Sequence, residues 1–159
     1  MNLGVLLFLA CAASGPGNEE GVSTPCHLLT KVRVIPFKGE RVDDAAYNSL
    51  KADRLRAIPC LVEKLTDVTP MRDPRKAPPY SGLKVGDVAF FLLADFACAP
   101  FDEVFPEDLK RRYAEDGIDA YFRFVEIPTN RRLLQERWRA RLDKAPNDPC
   151  LSEPKGQAP

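Results

Sequence analysis

Seven consecutive apolar residues, Val88-Ala-Phe-Phe-Leu-Leu-Ala94, lie inside the segment Val85 to Phe96. A run with no polar interruption has no solvent face, so the element it forms belongs at the centre of the domain, with the other elements packed around it. Periodicity alone does not separate a buried helix from a buried strand in so short a run. Ala89, Leu92, Leu93 and Ala94 are good helix formers, and Asp87 near the start suits the positive end of a helix dipole. The segment therefore predicts a fully buried helix, and Gly86 at its start marks a place where a neighbouring backbone can approach closely.

The flanking sequence supplies amphipathic helices to cover it. Asp43 or Asp44 can cap a helix from Ala45 to about Arg56 with Tyr47 and Leu50 inward. Pro59 suits the first turn of the next helix, and Ile58, Leu61, Val62 and Leu65 follow the spacing of one buried face. Pro106 opens a helix through Glu115 that has acids early and bases later, and Gly117 ends it. Ile118, Tyr121, Phe122 and Val125 mark a further buried face. Thr129 can cap a last helix to about Leu142 with Leu134, Trp138 and Leu142 on one stripe. Arg131, Arg132, Arg137, Arg139 and Arg141 on that helix read as a solvated basic face. Lys31-Val-Arg-Val-Ile-Pro-Phe37 alternates briefly, and Pro36 limits it to an edge strand or extended arm. The expected fold is mainly α: a small domain of about five helices with a short N-terminal extended arm or edge strand.

Within it, Tyr47-Asn-Ser-Leu50, then Ala57-Ile-Pro-Cys-Leu-Val-Glu-Lys-Leu65 and Asp67, resembles a HEAT-type helical hairpin. The resemblance covers residues 45–67. At the turn, where that family commonly has glycine, this chain has Arg54-Leu55-Arg56. The likeness implies two antiparallel helices and a protein-interaction scaffold. No second copy recurs at a fixed period, which argues against a long solenoid.

The first residues set the compartment. An uncharged apolar run, Leu3 to Ala10, is too short to span a bilayer but has the length of a signal-peptide core. Two processing routes stay open: lipidation at Cys11 after a lipobox-like Leu7-Phe8-Leu9-Ala10, or cleavage at Ala10-Cys-Ala12. Residues 1–12 are thus expected to be a signal or lipoprotein signal, 13–30 a flexible linker, 31–144 one helical domain and 145–159 a mostly disordered tail. Of five cysteines, either route sets Cys11 apart and leaves Cys26, Cys60, Cys98 and Cys150, an even set with three possible connectivities. A staple joining Cys26 to Cys150 across the domain ends is slightly preferred, with Cys60 and Cys98 as the alternative pair of buried free thiols.

Function is less constrained. Basic and acidic residues balance at 23 each, so no net field favours nucleic acid or an acidic membrane. The one histidine, His27, falls in the linker, which leaves nucleophile–histidine chemistry without support. Neither a phosphate-binding glycine loop nor metal-ligand spacing is present, and no cofactor is expected. The acid pairs Asp102 with Glu103 and Glu107 with Asp108 read as helix-start acids. A proline-rich loop from Thr69 to Ser81 carries Arg72, Asp73, Arg75, Lys76 and Tyr80. It is either a solvated crossover or a recognition loop for a carboxylate-bearing surface. The expectation is a non-enzymatic, exported cell-envelope module of the periplasm, lipid-anchored at Cys11 or secreted, that binds a protein partner. The alternatives are an inhibitor or immunity-type protein against an envelope toxin or hydrolase, and a cell-wall hydrolase built on an acid pair.

Overall fold

The computed structural model describes residues 25–36, 40–41, 43–75, 80–144 and 150–151. Six α-helices follow a 3-10 helix over Pro25–Lys31: α1 Ala45–Ala52, α2 Arg54–Lys64, α3 Val85–Phe96, α4 Glu107–Asp116, α5 Ile118–Val125 and α6 Pro128–Lys144. The chain is mainly helical, and no strand occurs among the described residues. Cys11, the apolar run before it and most of the linker lie outside the described residues.

The central helix is where the sequence puts it. Every residue of α3 is buried except Asp95. The 3-10 helix and α2 lie against α3, α1 packs on the 3-10 helix and α2, and α5 joins α4 to α6. Phe90 alone is in ring contact with Phe101, Phe105, Tyr121 and Trp138, so the core is unusually aromatic. Gly86 makes the expected close approach. A Cβ there would press on the Leu65 carbonyl and stand 2.9 Å from Arg131 Nη1 and 3.0 Å from the Asp67 carbonyl.

Three local expectations need correction, and one alternative is decided. Arg54-Leu55-Arg56 is the first turn of α2, not an interhelical turn, and Asp53 alone separates α1 from α2. Pro59 is therefore interior to α2 rather than in its first turn, with its missing amide turned to an exposed side of the helix. Pro25–Lys31 is not linker: Leu29 is fully buried, so the folded part starts before residue 31. The 32–36 segment is an arm without a strand. The Arg33 and Val34 amides donate to Asp44 Oδ2 at 2.7 and 2.9 Å, and the Ile35 amide to the Pro74 carbonyl at 2.9 Å. Asp44 also caps α1 through the Tyr47 amide at 2.9 Å. Burial would raise its carboxyl, but these amides hold it below the ordinary aspartate range.

The cysteine pairing is also corrected. Cys26 joins Cys60 and Cys98 joins Cys150, each with Cα atoms 6.0 Å apart. The 3-10 helix brings Cys26 onto α2, which leaves Cys150 to close on the end of α3. Both pairs close, so Cys60 and Cys98 are not free thiols. Two such bridges indicate an oxidising compartment. Among the described residues no helix is long and apolar enough to cross a membrane.

Candidate functional site

Three of the five loop residues singled out from the sequence are drawn inward. Arg75 donates to Asp73 from Nε at 2.9 Å and from Nη2 at 2.6 Å. Asp73 also accepts the Tyr80 amide at 3.0 Å and is only 2% exposed at its side chain. Burial acts to raise this carboxyl, but Arg75 and the Tyr80 amide bring it below the ordinary range. The Arg75 guanidinium lies 5.1 Å from the Phe91 ring and 5.0 Å from Phe122, and the Tyr80 ring stacks on Phe122 at 3.9 Å. Asp73, Arg75 and Tyr80 thus clamp the loop onto α3 and α5 instead of presenting a fork to a partner. Arg72 is exposed, and Lys76 lies outside the described residues.

Four of the five arginines of α6 are likewise engaged, which corrects the solvated basic face; Arg132 alone keeps to it, exposed. Arg131 forms a buried ion pair with Asp87, Nη1 to Oδ1 2.9 Å. Asp87 also accepts the Lys84 amide at 2.8 Å and the Tyr121 hydroxyl at 3.2 Å. The sequence carried a signal for this pair, namely one acid at the head of an apolar run and one arginine on the stripe that holds Leu134 and Trp138. Three other arginines grip neighbouring segments. Arg137 donates to the Val104 and Phe105 carbonyls at 2.6 and 3.1 Å. Arg141 pairs with Glu103 at 3.0 Å and reaches the Ala97 carbonyl at 3.4 Å. Arg139 pairs with Glu63 at 2.8 Å.

Held by Arg137 and Arg141, the 97–105 turn forms one wall of a groove of about 1210 Å3. Its other walls are the C-terminal half of α3 (Phe91, Ala94, Asp95), the arm (Ile35, Pro36, Glu40) and Tyr113 of α4. Phe101 at its floor is 5.6 Å from both Phe91 and Tyr113, centroid to centroid. Among the described residues three carboxylates line it, from Glu40, Asp95 and Asp102, together with the ammonium of Lys51. Asp95 accepts the Tyr47 hydroxyl at 2.6 Å, and Lys51 donates to that hydroxyl at 3.0 Å. Lys51 and Asp95 stand 3.6 Å apart. Burial, then Asp95, pushes the Tyr47 phenol far above its ordinary value, and burial with Asp102 raises Tyr113. Both phenols stay protonated at neutral pH, so they serve as donors and ring surfaces rather than as bases.

Asp102 was paired with Glu103 in the sequence, but the fold divides them: Asp102 lines the groove and Glu103 turns to Arg141. Glu107 and Asp108 pair with Lys110 and Arg112 along α4. Among the described residues no group of three or more His, Cys, Asp or Glu is placed to hold a metal ion. Sequence reasoning missed Glu40, Asp95, Phe101 and Tyr113 as a set, because the groove gathers them from four separate segments. Its one local signal was the aromatic density from Phe101 to Phe122.

No protein-family model matches this chain, and no curated protein or solved structure is significantly similar to it.

Proposed function

We propose that this protein is an exported cell-envelope module that binds another protein through the groove between α3, α4 and the 97–105 turn. The observation that carries the reading is the groove itself: an aromatic floor open to solvent, walled by segments that Cys98–Cys150, Arg137 and Arg141 hold in place. A frame already ordered loses little freedom on association, which favours recognition by docking. The disulfides fit the compartment that a signal over residues 1–12 would deliver the chain to, with Cys11 either lipidated or removed. The likeness of residues 45–67 to a HEAT-type hairpin points to the same class, a protein-interaction scaffold.

The test is affinity isolation of the mature protein from its native envelope, with mass spectrometry of the bait and of what it carries. A bait with Ala99→Trp, which fills the groove, is run beside it. The reading expects a partner on the first bait that is absent from the second, a processed N-terminus and four oxidised cysteines. Equal recovery on both baits, or a full-length reduced cytosolic chain, would overturn it. A tight one-to-one complex that silences a toxin or hydrolase would mark the inhibitor reading.

A further inference from the structure

We propose that the Cys98–Cys150 bridge is a redox switch on the groove wall, opened by a dithiol reductant while Cys26–Cys60 stays closed. Its consequence for binding rests on the docking role proposed above; the order in which the bridges open does not. In an oxidising compartment both bridges rest closed, so opening one of them takes a dedicated dithiol donor. Three observations single out Cys98–Cys150. The first is access, on which the rate of thiol exchange depends. Cys98 is exposed and Cys150 half-buried, whereas Cys26 is buried and Cys60 half-buried. The second is the backbone. Among the described residues Cys98 is the one non-glycine with positive φ, 48°, a region in which a Cβ is strained. Exposed or strained bridges have the more oxidising potentials and are reduced first.

The third is what each bridge fastens. Cys26–Cys60 joins the 3-10 helix to α2, which pack on each other and on α3 and bury Leu29, Ile58 and Leu61. That packing keeps the two thiols face to face after reduction, which favours reclosure. Cys98 instead lies in the turn past α3 and lines the groove. In the exchange, a thiolate of the reductant attacks Cys98 Sγ. A sulfur–sulfur bond to the reductant forms as the bond to Cys150 breaks, and Cys150 leaves as a thiolate that takes a proton from water. The reductant's second thiol, once deprotonated, attacks its own sulfur in the mixed disulfide and releases the Cys98 thiolate, which is protonated in turn. The reductant ends as a disulfide, having supplied two electrons. With the bridge open, residue 98 can leave the left-handed region. The Cys98 amide bond to Asp95 and the Ala99 amide bond to Ala94 then break more often, and the wall loses its fixed shape.

The test equilibrates the oxidised full chain in mixtures of reduced and oxidised dithiothreitol at neutral pH. Thiols are trapped with N-ethylmaleimide and assigned by peptide mass spectrometry. Cys98–Cys150 should reach half-reduction at a reduced-to-oxidised ratio about tenfold below that of Cys26–Cys60, a difference of about 30 mV. Hydrogen exchange is then followed on the chain with that bridge alone open, and on Cys98→Ser with Cys150→Ser. The amides of residues 98 and 99 should exchange about tenfold faster than in the oxidised chain, with α1 and α2 unchanged. Simultaneous opening of both bridges, or Cys26–Cys60 opening first, overturns the selectivity. Unchanged exchange at residues 98 and 99 in both open forms overturns the switch. The affinity isolation, run with the Cys98→Ser, Cys150→Ser bait beside the native one, reads the consequence. Recovery of the partner should be several-fold lower on the open bait, and equal recovery overturns redox control of docking. No partner on either bait refutes the docking role instead, and the switch then stands or falls on the bridge order and the exchange rates.

Discussion

Arg131→Met tests the innermost polar contact of the fold. The Arg131 and Asp87 side chains are 6% and 1% exposed, so neither charge can turn to water when the other is removed. Breaking a buried pair by deleting one partner costs about 3–5 kcal/mol. Asp87 would keep two donors, the Lys84 amide and the Tyr121 hydroxyl, which places the cost near the lower end, about 3 kcal/mol. The methionine keeps much of the apolar stem of the arginine and removes the guanidinium that lies beside Gly86. Urea unfolding of the oxidised protein at neutral pH, followed by the single, fully buried Trp138, reads this directly. At about 3–4 °C per kcal/mol for a domain of this size, the melting temperature should fall by roughly 10 °C. Asp87→Asn in the same chain removes the orphaned charge. The double variant should then be about 1–2 kcal/mol less destabilised than the sum of its parts. A loss under about 1 kcal/mol for Arg131→Met, the size of a surface pair, would show that the pair is hydrated and the reasoning wrong. So would two single-variant costs that simply add.

Four further outcomes are expected. Asp44 and Asp73 have folded carboxyls below the ordinary value of 3.8, so the folded state binds fewer protons than the unfolded chain. Their stabilisation is therefore complete above that value and lost as pH falls through the folded ones. The urea midpoint should drop below about pH 4, and less steeply in Asp44→Asn. Gly86→Ala should cost about 2 kcal/mol or more in the same denaturation assay, because two carbonyls and the Arg131 fork leave no room for its methyl group. Non-reducing peptide mapping should recover Cys26 with Cys60 and Cys98 with Cys150, and replacing either pair by alanine should lower stability by about 2–4 kcal/mol. With Cys150→Ala as background, Cys98→Gly should be more stable than Cys98→Ala by about 0.5–1 kcal/mol, since residue 98 has φ of 48°.

What could be read from the chain was whatever depends on neighbours in sequence. The α3 run, the Asp44 cap, and the Ile58, Leu61, Val62 and Leu65 face are set by spacing along one helix, and each takes its expected position. Pro59 misled because proline is best suited to a first turn, and here it sits just beyond one, on an exposed side of the helix where it forfeits one ladder bond. The arginines of α6 misled because charge on a helix face says nothing of what stands opposite. Carbonyls of the 97–105 turn and the Asp87 carboxylate arrive there only through tertiary packing. The cysteine pairing and the groove share that character: both join segments far apart in sequence.

The end of α3 is where those long-range constraints meet the candidate site. The Cys98 amide bonds to the Asp95 carbonyl at 3.2 Å and the Ala99 amide to the Ala94 carbonyl at 2.9 Å, the paired bonds of a Schellman helix end. That motif puts its turning residue in the left-handed region and ordinarily uses glycine there. Here the residue is Cys98, and glycine would forfeit the bridge to Cys150. The strained backbone, the disulfide and the Arg141 contact to the Ala97 carbonyl therefore fix the same few residues. Ala94, Asp95, Cys98, Ala99 and Pro100 of this turn all face the groove. A cysteine in glycine's place accepts about 1–2 kcal/mol of backbone strain for a bridge that contributes about 2–4 kcal/mol to the whole fold. The same substitution serves a groove wall well, because a wall that recognises a partner must hold its shape before the partner arrives.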